Sequence, residues 1–390
     1  MKWTRRGREF AGPGLAAAKV RRIHIFGAGL NGGMLHDFLR SRLEIAGFLD
    51  NEPRKREEGF LGLPVRPPEE IEAPEEGEAI IVALAPAAVS GALRQLKGLG
   101  FAENGRVFPM QTFCPLYFLY ARNEVCFPSL SFLPTTSCNL RCRHCLNFSP
   151  LLPAHGKRSL KALTESLDLL FAKVDYVMLF HISGGEPLLY PELADLLGHI
   201  GDRYGKRVCR LELTTNGTVV PTDDVCDSCR RHGVHVMLDD YRESLPGRAG
   251  LFESALGKFL ASGVTVRLGK PAAWVDLTPP GTDHSDWGAE RLGRHFEDCR
   301  VPWQEYRDGI LHACNYAAYA ALAGLQAEDE GDWLDLRRVP GPARAELVEF
   351  RLGCNAKGYV EFCRKCAGYG NNANLVKAAG QLASAAPGAP

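Results

Sequence analysis

The chain has 390 residues, so at about 150 residues per domain it holds two or three domains and can bury a large core. Apolar residues make up 45% and charged residues 24%, which excludes disordered and fibrous classes. Lys plus Arg and Asp plus Glu both number 46, so no net field draws nucleic acid or an anionic membrane, and no run of about 20 apolar residues reads as a bilayer span.

Residues 1–20 are basic and rich in Gly and Ala, with no apolar run before Arg21 and Arg22, and read as a mobile tail without a secretory signal. That makes the expected compartment cytoplasmic, where 13 cysteines are thiols or metal ligands instead of disulfides. A buried-type strand over 23–26 leads into Gly27-Ala28-Gly29-Leu30-Asn31-Gly32, a helix over 35–43, a strand over 44–49 and Asp50. A strand over 79–84, a helix over 89–99 and a strand over 106–108 follow, giving a Rossmann-like unit over 21–112. In that context Gly27, Gly29 and Gly32 permit a tight turn and close approach of a pyrophosphate, and Asp50 can accept from ribose hydroxyls. A glycine-rich turn with nothing bound is the plainer alternative.

From residue 129 the rhythm restarts, with strands or helices over 130–133, 160–174, 176–182, 193–204, 208–213, 225–232, 234–238, 252–260 and 264–268. Repeated strand–helix units over 113–275 favour a parallel sheet or incomplete barrel with its chemistry at the strands' carboxyl ends. Just after the first of these strands comes Cys138-Asn-Leu-Arg-Cys142-Arg-His-Cys145. Three thiolates on one loop select zinc or an iron–sulfur cluster and leave one coordination position open. A structural zinc that borrows His144 or His155 is the alternative at this point. The next strands end in His181-Ile-Ser-Gly184-Gly185-Glu186-Pro187 and Thr214-Thr215-Asn216-Gly217, polar glycine turns that can approach a ligand.

In this order, the three motifs resemble the radical S-adenosylmethionine (SAM) superfamily. The resemblance implies a partial (βα)6 TIM-type barrel in which Cys138, Cys142 and Cys145 hold a [4Fe–4S] cluster whose fourth iron takes SAM. It further implies that Gly184, Gly185 and Glu186 of the turn closed by Pro187 contact the methionine amino group. Thr215 and Asn216 would lie by the ribose, and His144 would take the aromatic position before the third cysteine. A one-electron donor such as a flavodoxin or ferredoxin is implied with them. The segment 21–112 resembles small Rossmann-like domains of sugar-modifying proteins, which implies a nucleotide or nucleotide-sugar ligand there.

After residue 276 the rhythm is lost and cysteines recur: Cys299, nine residues, Gly309, four residues, Cys314, then Cys354 and Cys363-Arg-Lys-Cys366. Two separated pairs suit a four-thiolate site, zinc or buried thiols being the alternatives. The pattern looks like the twitch extension, the shorter relative of the SPASM domain, over 276–376. That implies one auxiliary [4Fe–4S] cluster on Cys299, Cys314, Cys363 and Cys366, with Cys354 a fifth candidate or a hydrogen-atom donor. Cys226 and Cys229 fall on a helix and read as structural, as do Cys114, Cys126 and Cys209. Residues 377–390 read as a second mobile tail.

For a sugar oxidation, Glu212 or Asp240 at the barrel mouth would serve as base; Asp239 and Asp240, being adjacent, face opposite sides of a strand. The expected architecture is α/β: a Rossmann-like domain, a partial barrel and a small cysteine-rich twitch extension. The expected function is a radical SAM oxidoreductase acting on a carbohydrate, cyclitol or nucleotide-sugar, by dehydrogenation, or by epimerisation if a cysteine returns hydrogen. Modification of a ribosomal peptide is one rival, and a zinc-stabilised nucleotide-binding module without catalysis is the other.

Overall fold

Strands β1 (Arg22–Phe26), β2 (Glu44–Leu49), β3 (Val65–Arg66), β4 (Glu78–Val82) and β5 (Val107–Pro109) pair in the order β3-β2-β1-β4-β5, all parallel. This is seen in a computed structural model that describes residues 11–101, 105–156, 158–299, 303–340, 343–353, 357–369 and 372–382. The order reverses between β1 and β4, the switch point at which doubly wound sheets bind ligands. Helices α1 (Ala11–Lys19), α2 (Leu30–Leu39), α3 (Pro53–Glu58), α4 (Pro86–Gly98) and α5 (Met110–Arg122) accompany this sheet. A Cβ on Gly14 of α1 would collide with the Tyr120 ring of α5, so the two helices lie in close contact. The tail expected over 1–20 is therefore corrected for its second half.

Helix α5 also corrects the domain boundary at 112/113, which falls inside it. Pro115 lacks the donor a helix interior uses and reads as a breaker, yet Phe113, Cys114, Leu116, Tyr117 and Phe118 are all buried on either side of it. They belong to one apolar core that runs from Ile23 and Ile25 through α5 to Phe127 and Leu130 of the next sheet. Burial of a Phe contributes about 1.5–3 kcal/mol, which outweighs one lost helix bond. Arg42 adds a cap to this seam, its guanidinium 5.0, 5.5 and 5.2 Å from the rings of Phe38, Phe118 and Tyr176.

The second sheet carries β6 (Cys126–Phe132), β7 (Tyr176–Ile182), β8 (Val208–Thr215), β9 (His235–Asp239) and β10 (Val266–Gly269), parallel and in sequential order. Between them run α6 (Leu160–Lys173), α7 (Leu193–Tyr204), α8 (Asp223–Arg231) and α9 (Ala249–Ala261). Local chemistry sets the helix starts: Ser159 accepts from the Ala162 N–H and Thr222 from the Val225 N–H, and α8 opens with two aspartates and closes with two arginines. Strand β11 (Ala273–Val275) and α10 (Ala289–Asp298) follow. A sixth parallel strand then joins from the C-terminal region: β12 (Glu305–Arg307) pairs with β6, followed by antiparallel β13 (Ile310–His312) and β14 (Trp333–Asp335). Helices α11 (Asn315–Leu322) and α12 (Arg344–Arg351) pack around this edge.

Strand β15 (Leu375–Lys377) pairs antiparallel with β11, and residues 378–382 continue back over the loop that carries Cys138–Cys145, so the tail expected from 377 is corrected through Leu382. Among the described residues, no helix is long and apolar enough to cross a membrane.

Candidate active site

The loop leaving β6 holds the cysteine triad, and the turn leaving β7 is pressed against it. Gly185 N–H donates to the Thr135 carbonyl at 3.1 Å and Glu186 N–H to the Ser137 carbonyl at 2.7 Å. A Cβ on either Gly184, at φ +144°, or Gly185 would collide with those same carbonyls. The glycine pair is thus required by close approach of two backbones. The Glu186 side chain, 0% exposed, then ties β7 to β8: it accepts from Thr215 Oγ1 at 2.7 Å, Asn216 N–H at 2.8 Å and Leu188 N–H at 3.0 Å, the last just after Pro187. Burial pushes this carboxyl up to about 7 despite those donors. Asn216 also donates to Asn139 at 3.0 Å and approaches Cys138 Sγ at 3.9 Å.

The triad itself sits in an apolar nest with Leu140, Tyr241, Leu245, Trp274 and Ala379. Burial pushes the Cys138 thiol up to about 11 and Cys142 up to about 12, so neither ionises near neutrality unless a cation replaces the proton. His144, before the third cysteine, pairs with Asp276 at 3.1 Å, and both border a cavity of about 250 Å³ beside Cys145. Among the described residues no three His, Cys, Asp or Glu side chains are arranged to share one metal ion. Three soft donors in an apolar nest, with the Asn216 and Gln381 amides beside two of the sulfurs, fit a cluster with one open iron.

Below the triad, the concave face of the sheet is polar. Phe180 packs toward Phe171 of α6, so its neighbour His181 faces inward. Register then aligns one level across five strands: Glu305, Ser131, His181, Glu212 and His235. Glu212 is buried, 3.2 Å from Arg210 and 3.8 Å from Arg267, while His181 meets Thr214 at 2.7 Å and is pushed down by burial. Of the adjacent pair, Asp239 turns in, bonded by the Tyr241 hydroxyl at 2.8 Å and pushed up to about 6 by burial. Asp240 is instead held at both oxygens by Arg242 and kept below the usual carboxylate range. Sequence reasoning missed Glu305, 0% exposed, with neither oxygen hydrogen-bonded among the described residues and Arg307 at 3.4 Å. It stands on a three-residue strand, too short for any periodic signal.

The C-terminal thiols come together through a hairpin. Asp308 and Gly309 both take positive φ, at 50° and 83°, and form the tight turn between β12 and β13 that sends Cys314 back toward Cys299. Cys363 lies on a short 3-10 turn over Glu361–Arg364 with Cys366 two residues past its end, and the Cys366 thiol lies within electrostatic reach of Cys299, Cys314 and Cys363. All four border a cavity of about 1150 Å³ that reaches Arg210, Glu212 and Arg267. Cys354 lies outside the described residues.

The same cavity opens onto the N-terminal sheet at Gly27, Gly29, Asp50 and Lys55. Gly27 has φ +126° and would clash with Ala83 if it bore a Cβ, and Gly32 packs on the Gly27 carbonyl. Gly29 ends the loop as the N-cap of α2. Asp50 accepts from Ala28 N–H at 2.9 Å, Glu52 N–H at 2.9 Å and Lys55 Nζ at 2.8 Å. Burial opposes its ionisation, but these donors win and hold it below the usual range. Its oxygens thus brace the loop, and Lys55 brings a cation to its rim.

Residues 132–248 match the model of the radical SAM superfamily. PqqA peptide cyclase of Streptomyces rochei is 35% identical over 104 residues, which are 27% of each chain, so this chain spans about a quarter of that relative's length. Among solved structures, SuiB of Streptococcus suis bound to precursor peptide SuiA is similar at 17% identity, covering 46% of this chain and 45% of that one, with a TM-score of 0.30. BtrN in complex with AdoMet and 2-DOIA is similar at 16% identity, covering 63% and 94%, with a TM-score of 0.37. The cysteine loop, its glycine turn and the family match fall on the same strands, and residues 132–248 are a radical SAM domain.

Proposed function

We propose that the protein is a radical SAM oxidoreductase acting on a nucleotide-linked sugar or a related carbohydrate or cyclitol. The family's cluster and SAM, when bound at Cys138, Cys142 and Cys145, supply a 5′-deoxyadenosyl radical, and an auxiliary cluster at Cys299, Cys314, Cys363 and Cys366 would supply an electron acceptor. The chain's own residues have three tasks. The Gly27–Gly32 loop, with Lys55 at its rim, would hold a phosphate-bearing handle at a helix N-terminus. Arg210 and Arg267 would orient the hydroxyl-bearing part through Glu212, and the partial barrel would shield it from water. Glu212 would take the hydroxyl proton as the substrate is oxidised, since Arg242 holds both oxygens of Asp240, and Cys354 is the other candidate for hydrogen transfer.

The observation that carries this reading is the single cavity of about 1150 Å³ that joins the glycine loop, the polar barrel interior and the four C-terminal thiols. Modification of a ribosomal peptide is the second reading, favoured by the likeness to PqqA peptide cyclase. Anaerobically reconstituted protein given SAM and a reductant, then offered nucleotide-sugars and peptides separately, distinguishes them. A nucleotide-sugar that loses two hydrogens in step with 5′-deoxyadenosine supports the first reading. Turnover of peptides alone overturns it.

A further inference from the structure

Residues 378–382 lie across the cysteine loop as a strap. Arg143 N–H donates to the Gly380 carbonyl at 2.7 Å, Leu382 N–H to Arg141 at 2.8 Å, and Ser244 Oγ to Ala378 at 2.6 Å, while Ala379 is wholly buried against Cys142. At its centre the Gln381 amide donates to Cys142 Sγ at 3.2 Å. The amide's orientation is fixed by chemistry: Oε1 accepts from Arg141 N–H at 2.9 Å, and Nε2 also donates to the Ala379 carbonyl at 2.8 Å. A flipped amide would set donor against donor and acceptor against acceptor.

We infer that Gln381 is a tuning residue for the cluster held by the triad: its N–H···S hydrogen bond stabilises the more negative, reduced form and raises the reduction potential. A hydrogen bond to ligand sulfur is one of the protein's main levers on such a potential, and Gln381 applies it. Cys142 is buried, and there the bond counts for more than it would in water. The inference rests on the radical SAM reading of the triad.

The test compares wild type, Gln381→Leu, Gln381→Glu and Ser244→Ala after anaerobic reconstitution, by iron content and by redox titration of the electron paramagnetic resonance signal that SAM perturbs. Expected is unchanged iron in all four. At the potential where half of the wild-type cluster is reduced, the reduced-to-oxidised ratio falls about threefold in Gln381→Leu and further in Gln381→Glu, whose carboxylate adds negative charge. Ser244→Ala, which loosens the strap without touching sulfur, leaves the ratio unchanged. An unaltered ratio in both Gln381 variants overturns the inference, as does an equal fall in Ser244→Ala. Iron lost from the Gln381 variants while Ser244→Ala loads fully also overturns it, since Gln381 would then retain the cluster instead of tuning it. Wild type that loads no SAM-responsive cluster overturns the radical SAM reading itself.

Discussion

The two thiol sites are built in opposite ways. Cys138, Cys142 and Cys145 lie within eight residues on one loop, and the turn at Gly184–Pro187 reads that loop's backbone directly through two hydrogen bonds. Cys299, Cys314, Cys363 and Cys366 are drawn from 68 positions and come within electrostatic reach of Cys366 after the Asp308–Gly309 turn reverses the chain and the last pair arrives on and just past a separate 3-10 turn. A local site depends on backbone contacts beside it. A distributed one depends on the fold closing around it.

The largest effect that would sharpen this contrast is on iron and SAM cleavage. Replacing Cys138, Cys142 and Cys145 together by Ala should abolish 5′-deoxyadenosine formation and remove about four irons per chain. Replacing Cys363 and Cys366 should also remove about four irons while SAM cleavage continues, uncoupled from substrate oxidation. Equal loss of cleavage in both variants would break the division of labour.

Next is Gly185→Ala, whose Cβ would strike the Ser137 carbonyl, a backbone atom that cannot swing aside. We expect about 2–4 kcal/mol of destabilisation, within the range for a forced backbone shift, and at least tenfold weaker SAM binding. Gly29→Ala, where a Cβ meets nothing within 4 Å, should change stability by no more than about 0.5 kcal/mol. Thermal unfolding and SAM titration of the two variants read this difference.

Asp239, at the end of β9 and bonded by Tyr241, tests how strongly the barrel interior desolvates a carboxylate. Its carboxyl ionises near 3.8 when unfolded and is pushed up to about 6 by burial in the fold. Between those values the folded state keeps a proton the unfolded state has lost, so stability is present at low pH and falls as pH rises from about 4 to 6. The loss should reach about 2 kcal/mol and should be absent from Asp239→Asn in thermal unfolding of the metal-free chain followed from pH 4 to 7. A milder effect is expected at the distributed site: Gly309→Ala, at φ +83°, should cost about 1 kcal/mol and lower iron occupancy there only in part, because the Leu169 and Arg337 side chains nearby can yield.

What the sequence made legible follows the same divide. Strand rhythm and the three motifs lay open because each is local: a run of apolar residues, a fixed cysteine spacing, a glycine turn. The hidden features are those in which distant contacts override local cues. Pro115 suggests a chain break, but α5 persists through it because aromatic burial on both sides is worth more. Ala378, Ala379 and Gly380 have the composition of a tail, yet the Gly380 carbonyl and the Leu382 N–H find partners at Arg143 and Arg141, more than 200 residues away. Alternation told that Asp239 and Asp240 diverge, but which one turned inward depended on Arg242 claiming Asp240.

The strap also imposes an order in time. Gln381 follows Cys142 by 239 residues, so during synthesis at about 5–20 residues per second the cysteine loop precedes its cover by roughly 12–48 s. Throughout that interval Cys142 lacks the Ala379 and Gln381 contacts that cover it in the finished fold. The last wall of this site is thus also the last to be synthesised, which ties its completion to the end of the strand order and not to the loop that carries the thiols.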